Sequence, residues 1–254
     1  MPLKLYLIKF FTKTKGVNSH FIVLLLLFNY CFSQSGLKFY SNDYSKEKRT
    51  SYRVFEKRVA FESQISVKFD LSFYNKIFIG DIFTIRGFKD KTQFSLYFNY
   101  DFENQKGAVL QINKVGEKKL FEIHISESII NSEDWHEIEI VFDFKNNLLR
   151  YVFDGQKDSF RYDFNSQNNS LNIIFGALSN YSDVPAFKIR NLTFRDAFDE
   201  YYFNLDQKYG EKVFDETGSF RGLVKNPYWL INDYFKWKKI KTLEFPNNYN
   251  VIFN

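Results

Sequence analysis

Glu133-Asp134-Trp135-His136-Glu137-Ile138-Glu139-Ile140-Val141-Phe142-Asp143 decides the fold class of this 254-residue chain. Ile138, Ile140 and Phe142 alternate with Glu137, Glu139 and Asp143, the period of two that marks a strand with one buried and one wet face. Trp135-His136 leads into it, and a polar turn containing Asn146-Asn147 separates it from a second aromatic-rich run, Leu149 to Phe153. Asp154-Gly155 follows, and then Phe160, Tyr162 and Phe164. Asp-Gly between alternating apolar runs predicts a hairpin, because both central positions of a type I′ turn need positive φ.

The same period extends outward in both directions. Val67, Phe69, Leu71 and Phe73 alternate with Lys68, Asp70 and Ser72, and the run from Phe78 to Ile85 has Gly80 as a bulge or bend. Further runs are Phe94 to Tyr100, Ala108 to Ile112, Leu120 to Ile125, Leu171 to Phe175 and Phe187 to Phe194. In the last, apolar parity shifts from Phe187 and Ile189 to Leu192 and Phe194, which predicts a bulge near Asn191. Roughly ten strands and no convincing amphipathic helix describe an all-β chain, a jelly-roll β-sandwich of two antiparallel sheets. With 32 Phe and 17 Tyr against 11 Gly and 4 Pro, the apolar area suffices for such a core.

The N-terminus reads differently. Lys4, Lys9, Lys13 and Lys15 precede an apolar run from Phe21 to Phe28, and Cys31, Ser33, Gln34 and Ser35 follow. A basic lead, a short apolar core and a small-residue exit describe a secretory signal peptide over residues 1–33, too short for a comfortable membrane span. Cleavage after Ser33, or one residue later, removes four of the 35 basic residues and none of the 30 acidic ones, leaving 31 against 30. A mature chain so close to neutral has no electrostatic footprint for nucleic acid. The only cysteine leaves too, so no disulfide forms and an exported chain relies on its core. These features fit export in a bacterial envelope: periplasm, outer-membrane surface or extracellular space, with no transmembrane span after cleavage.

The organisation expected from these signals is a polar and basic lead-in over residues 34–59, the sandwich over 60–198, and a C-terminal extension over 199–254 that leads into a further domain or closes back on the sandwich. Within the extension, alternation gives way to aromatic pairs and the run Pro227-Tyr228-Trp229-Leu230-Ile231. The chain closes on Val251-Ile252-Phe253-Asn254, which reads as a strand.

Trp135-His136-Glu137-Ile138-Glu139-Ile140, Tyr151-Val152-Phe153-Asp154-Gly155, Leu171-Asn172-Ile173-Ile174-Phe175-Gly176 and Phe187-Lys188-Ile189-Arg190-Asn191-Leu192, in that order, resemble the laminin-G-like and concanavalin-A-like lectin/glucanase superfamily over residues 60–196. The resemblance implies a jelly roll used for carbohydrate or protein recognition and sometimes for glycan hydrolysis. Glucanases of that superfamily carry acids on one strand face, and retaining hydrolysis needs two carboxyls about 5–5.5 Å apart. Glu137 and Glu139 share a face. However, Phe142 stands where a third acid belongs and Val141 is expected to point inward, so the strand reads as a solvated outer face.

No nucleophile elbow, phosphate loop or histidine cluster is present, and His136 is expected to hydrogen-bond structurally at the strand's start. Calcium, which related sandwiches bind through loop acids, has Asp81, Asp154, Asp158 and Asp183 as candidate ligands; no other cofactor is expected. The apolar face of a pyranose stacks on an open ring, and Tyr181, Tyr228, Trp229 and Trp237 lie in loop-like surroundings as candidate ligand-binding residues. The sequence therefore predicts a non-catalytic recognition or structural module binding a glycan or an envelope protein. A glycoside hydrolase with an atypical active strand, or a spacer in a longer surface or sensor protein, are the alternatives.

Overall fold

The computed structural model describes residues 35–42, 44–61, 63–75, 79–87, 92–100, 107–114, 119–164, 170–178 and 183–233. The strands, in chain order, are β1 (Leu37–Lys38), β2 (Ser51–Arg53), β3 (Val59–Ala60), β4 (Gln64–Asn75), β5 (Gly80–Arg86), β6 (Thr92–Tyr100), β7 (Gly107–Lys114), β8 (Phe121–Ser126), β9 (His136–Asp143), β10 (Leu148–Phe153), β11 (Gln156–Arg161), β12 (Ser170–Gly176), β13 (Ala186–Arg195), β14 (Glu200–Phe203), β15 (Lys212–Phe214), β16 (Arg221–Lys225) and β17 (Tyr228–Trp229). They form two antiparallel sheets. The front sheet has eight strands in the order β11-β10-β9-β4-β13-β1-β17, with β14 also on β13. The back sheet has nine, in the order β15-β16-β2-β12-β5-β6-β7-β8, with β3 on β12.

The strand quoted at the outset is β9, and its alternation is what places it. Ile138, Ile140 and Phe142 are buried and face Phe69, Val67 and Ile65 across the ladder to β4. From the back sheet Phe83, Phe98 and Phe175 meet this layer, with ring centroids 6.1 Å from Phe69 to Phe83, 5.2 Å from Phe69 to Phe175 and 4.5 Å from Phe73 to Phe98. Such ring pairs add about 0.5–1.5 kcal/mol each to the burial of their area. The high phenylalanine content of the chain is thus spent on a core of interlocked rings.

The turns obey local chemistry. Asp154 and Gly155 have φ 47° and 81°, as a two-residue type I′ turn between β10 and β11 requires. Asn191 has φ 51° where the β13–β4 register shifts between Arg190 and Thr193, the bulge its parity change predicts. Gly80 has φ 146°, and a Cβ there would lie 2.2 Å from the Asp183 carbonyl oxygen, so only glycine fits.

Three expectations are corrected. The described residues of 34–59, and residues 199–233, supply strands of the sandwich rather than appendages. β1 lies between β13 and β17, β2 between β12 and β16, and Leu37, Phe39, Tyr52, Val54, Phe203, Leu205 and Val213 are all fully buried. Strands of two to five residues are too short to display a period, which hides them in the sequence. A helix also exists: α1 (Glu127–Ser132) buries Ile130 and ends at Glu133 with φ 53°. Val141 points outward with Glu137 and Glu139, as the strict alternation of β9 demands. The Val251–Asn254 run lies outside the described residues. Among those described, no helix is long and apolar enough to cross a membrane.

Candidate functional site

The outer face of the front sheet holds a groove of about 550 Å³ whose lining comes from five adjacent strands. Register sets it out as two rows running across the ladder. Arg195 of β13, Ser66 of β4, Val141 of β9, Arg150 of β10 and Ser159 of β11 are successive cross-strand partners. In the neighbouring row, Glu139 of β9, Val152 of β10 and Lys157 of β11 are likewise directly opposite one another. Each of these residues is at an outward parity position, so the pleat alone aims them at solvent. Val141 and Val152 form an apolar centre, with charged and hydroxyl groups around it.

The charges of the groove are unequally engaged. Glu139 accepts a 2.6 Å hydrogen bond from the Ser66 hydroxyl, and Asp158 accepts one of 2.7 Å from the Ser159 amide. Arg195 pairs with Glu200 at 3.0 Å; that hydrogen bond and charge, with a contribution from Glu139, push its pKa up. Arg150 comes only within 3.8 Å of Asp143, whose carboxylate also takes two bonds from Asn146. Lys157 makes no ion pair among the described residues. Tyr151 stacks on Phe121 at 4.7 Å, and burial, then the charge of Asp158, raises the pKa of its phenol. The groove thus offers donors from Arg150 and Lys157, hydroxyls from Ser66 and Ser159, and a small apolar floor.

The acids that suggested hydrolysis are committed elsewhere. Glu137 pairs with Lys68 at 2.8 Å, Glu139 is held by Ser66, and Asp70, opposite Glu137 on β4, pairs with Arg190 at 2.9 Å and accepts from Asn191 at 2.9 Å. His136 does what its position predicts. Its Nδ1 lies 2.6 Å from Asp154 Oδ2, and the other oxygen of Asp154 accepts the Glu137 amide at 3.0 Å, which ties the start of β9 to the tip of the next hairpin.

Of the four aromatic candidates, Tyr181 and Trp237 lie outside the described residues. Trp229 is 2% exposed in β17, and its indole N–H donates to the Gly210 carbonyl at 3.1 Å. It is a core residue with no face for a ligand, because it lies on the inward side of β17, a strand too short to show a period. Tyr228, its neighbour of opposite parity, is half-buried on the outer face and donates to Asp233. Of the four acids weighed for calcium, only Asp81 and Asp183 meet. The Asp81 amide donates to the Asp183 carbonyl at 3.0 Å, and burial, with the charge of Asp183 adding and a Ser95 hydrogen bond opposing, pushes the Asp81 carboxyl up to about 6. Asp183 also lies 3.9 Å from Arg49, whereas Asp154 serves His136 and Asp158 lines the groove.

No protein-family model matches the chain, and no curated protein matches it. Solved structures do. A heptameric SAP-like pentraxin from Limulus polyphemus aligns at 11% identity over 64% of this chain and 76% of its own, with a TM-score of 0.50. The extracellular region of zebrafish Gpr126/Adgrg6 aligns at 14% identity over 75% of this chain and 25% of its own, with a TM-score of 0.44. The marine family 7 alginate lyase AlyA1 from Zobellia galactanivorans aligns at 13% identity over 54% of this chain and 64% of its own, with a TM-score of 0.36. At such identities the likeness concerns fold. Together with the two sheets, the pentraxin alignment bears out the expected fold, an all-β sandwich of two antiparallel sheets.

Proposed function

We propose that this chain is an exported, non-catalytic recognition module of a bacterial envelope that holds a glycan in the front-sheet groove. The observation that carries this reading is the groove itself. It is of ligand-pocket size, preformed on five strands, with an apolar centre of Val141 and Val152 flanked along the rows by hydroxyl and charged groups. A sugar ring presents the matching surface, apolar on its faces and hydroxylated at its rim. Acid–base hydrolysis finds no support, since Glu137 and Glu139 lie side by side on one strand, bound to Lys68 and Ser66, and Asp70, opposite Glu137 on β4, is paired with Arg190. Export follows from the N-terminal signal, and cleavage after Ser33 gives the mature chain.

The test is a glycan array probed with the mature chain, followed by titration of the hits. Arg150→Ala with Lys157→Ala is expected to weaken binding by about tenfold or more, as loss of charge-assisted hydrogen bonds does. Retained affinity in that double variant would place the ligand elsewhere. Shortened oligosaccharide products that vanish with Glu139→Gln would replace the binding role with a hydrolytic one.

A further inference from the structure

A second feature of the front sheet is a row of rings and cations at the opposite edge from the groove. Arg190 of β13 lies 4.4 Å over the ring of Trp135, just ahead of β9. Lys38 of β1 lies 4.1 Å over Tyr74 of β4 and 5.3 Å over Tyr228 of β17, and Lys188 of β13 approaches Tyr74 at 6.0 Å. Lys188, Lys38 and Tyr228 are direct cross-strand partners, so the row runs across the ladder. Past Tyr228 it continues through Tyr40, at 5.3 Å and 78°, to Tyr44, at 4.3 Å and 38° from Tyr40. Tyr44 is 41% exposed, and Tyr40, Tyr228, Tyr74 and Trp135 are half-buried.

The rings are held in place. The Tyr74 hydroxyl donates to the Phe39 carbonyl at 2.6 Å, and that of Tyr228 donates to Asp233. The turn carrying Tyr44 is closed by its amide on Ser41 at 3.0 Å and by Arg49 on the Tyr44 carbonyl at 3.4 Å. Fixed rings lose little freedom when a ligand arrives. The chemistry of the row also narrows the partner. Protein interfaces concentrate apolar and aromatic groups at a centre from which charge is depleted. Here cations sit over the rings from Trp135 to Tyr228, and the rings of Tyr228, Tyr40 and Tyr44 follow in succession, which suits a chain of units that are flat and apolar on their faces and polar at their rims.

We propose that this row is a second, sugar-stacking site on the same sheet, with Tyr44, Tyr40 and Tyr228 as its platform. The ligand class rests on the glycan-binding reading of the groove; the site does not. From Ser66 to Tyr74 along β4 is about 27 Å at about 3.4 Å per residue, so a short oligosaccharide reaches one site and a long one both.

The experiment titrates the mature chain with laminari- and alginate oligosaccharides, from dimers to octamers, following the labelled ring signals of tyrosine by NMR. Tyr44 is exposed, so Tyr44→Ala leaves the core intact. In at least one series, octamers are expected to shift Tyr40 and Tyr44 and to bind about fivefold or more tighter than dimers. Tyr44→Ala should abolish that gain, while Arg150→Ala with Lys157→Ala leaves the tyrosine shifts in place. Octamers that move the signal of Tyr151 but not those of Tyr40 and Tyr44 would overturn the second site and spare the groove. Silence of all three rings in both series would overturn both for these sugars.

Discussion

The strands of the middle of the chain, β4 to β13, run six to twelve residues, while those of the two flanks, β1 to β3 and β14 to β17, run two to five. Yet Trp229, Tyr52 and Phe39, all in or beside flank strands, are among the largest fully buried side chains of the molecule. The middle holds itself by long ladders whose outer residues remain free for chemistry. The flanks hold by single large anchors buried in the core. Ladder length and buried volume are separate routes to one core, and they fail differently.

The largest expected effect tests the anchors. Trp229→Ala should cost about 3–5 kcal/mol in denaturant unfolding, with one cooperative transition. A cost under about 1 kcal/mol, or a separate early transition, would mean that the C-terminal flank is only an appendage. In the middle, Asp81 tests whether a long ladder tolerates a buried charge. Its carboxyl is raised from 3.8 to about 6, chiefly by burial. Between about pH 4 and 6 the folded state keeps a proton that the unfolded chain has released, so stability falls as pH rises through that window and is level above it. Asp81→Asn should remove this slope and stabilise the protein at pH 7 by up to about 3 kcal/mol, read from unfolding midpoints across pH. An unchanged slope would refute it.

Smaller effects sharpen the contrast. Asp154→Ala removes partners of His136 and of the Glu137 amide and should cost about 2 kcal/mol, with exchange of the β9–β10 amides rising first. Tyr52→Phe removes a buried hydroxyl that has no hydrogen-bond partner among the described residues, so it should be neutral or stabilising by about 1 kcal/mol in thermal melts. A double-mutant cycle on Lys68 and Glu137, whose side chains are 39% and 47% exposed, should return a coupling of about 0.5 kcal/mol.

How much of this was legible in the sequence follows the same divide. β9, the Asp154-Gly155 hairpin and the Asn191 bulge could be read because a period or a positive φ leaves a mark within a few residues. The flank strands could not, since two to five residues carry no clear period and the partners of β1, β2 and β3 on β12, β13, β16 and β17 lie more than a hundred positions away. The groove was half visible: the outward parity of Glu139 was plain, but joining it to Ser66, Arg150, Lys157 and Arg195 requires the register of four ladders. The row of rings was less visible still, because Tyr40, Tyr74, Trp135 and Tyr228 become neighbours only through β1 and β17.

That Leu37 pairs with Trp229 has a mechanical consequence. In this antiparallel pair, the backbone enters β1 and leaves β17 at the same corner, so whatever is attached on either side would tug from one point. Tension applied there peels two residues apart in sequence instead of shearing a long ladder. Such a corner is a weak link under load, and it would release the flank anchors well before the central strands give way.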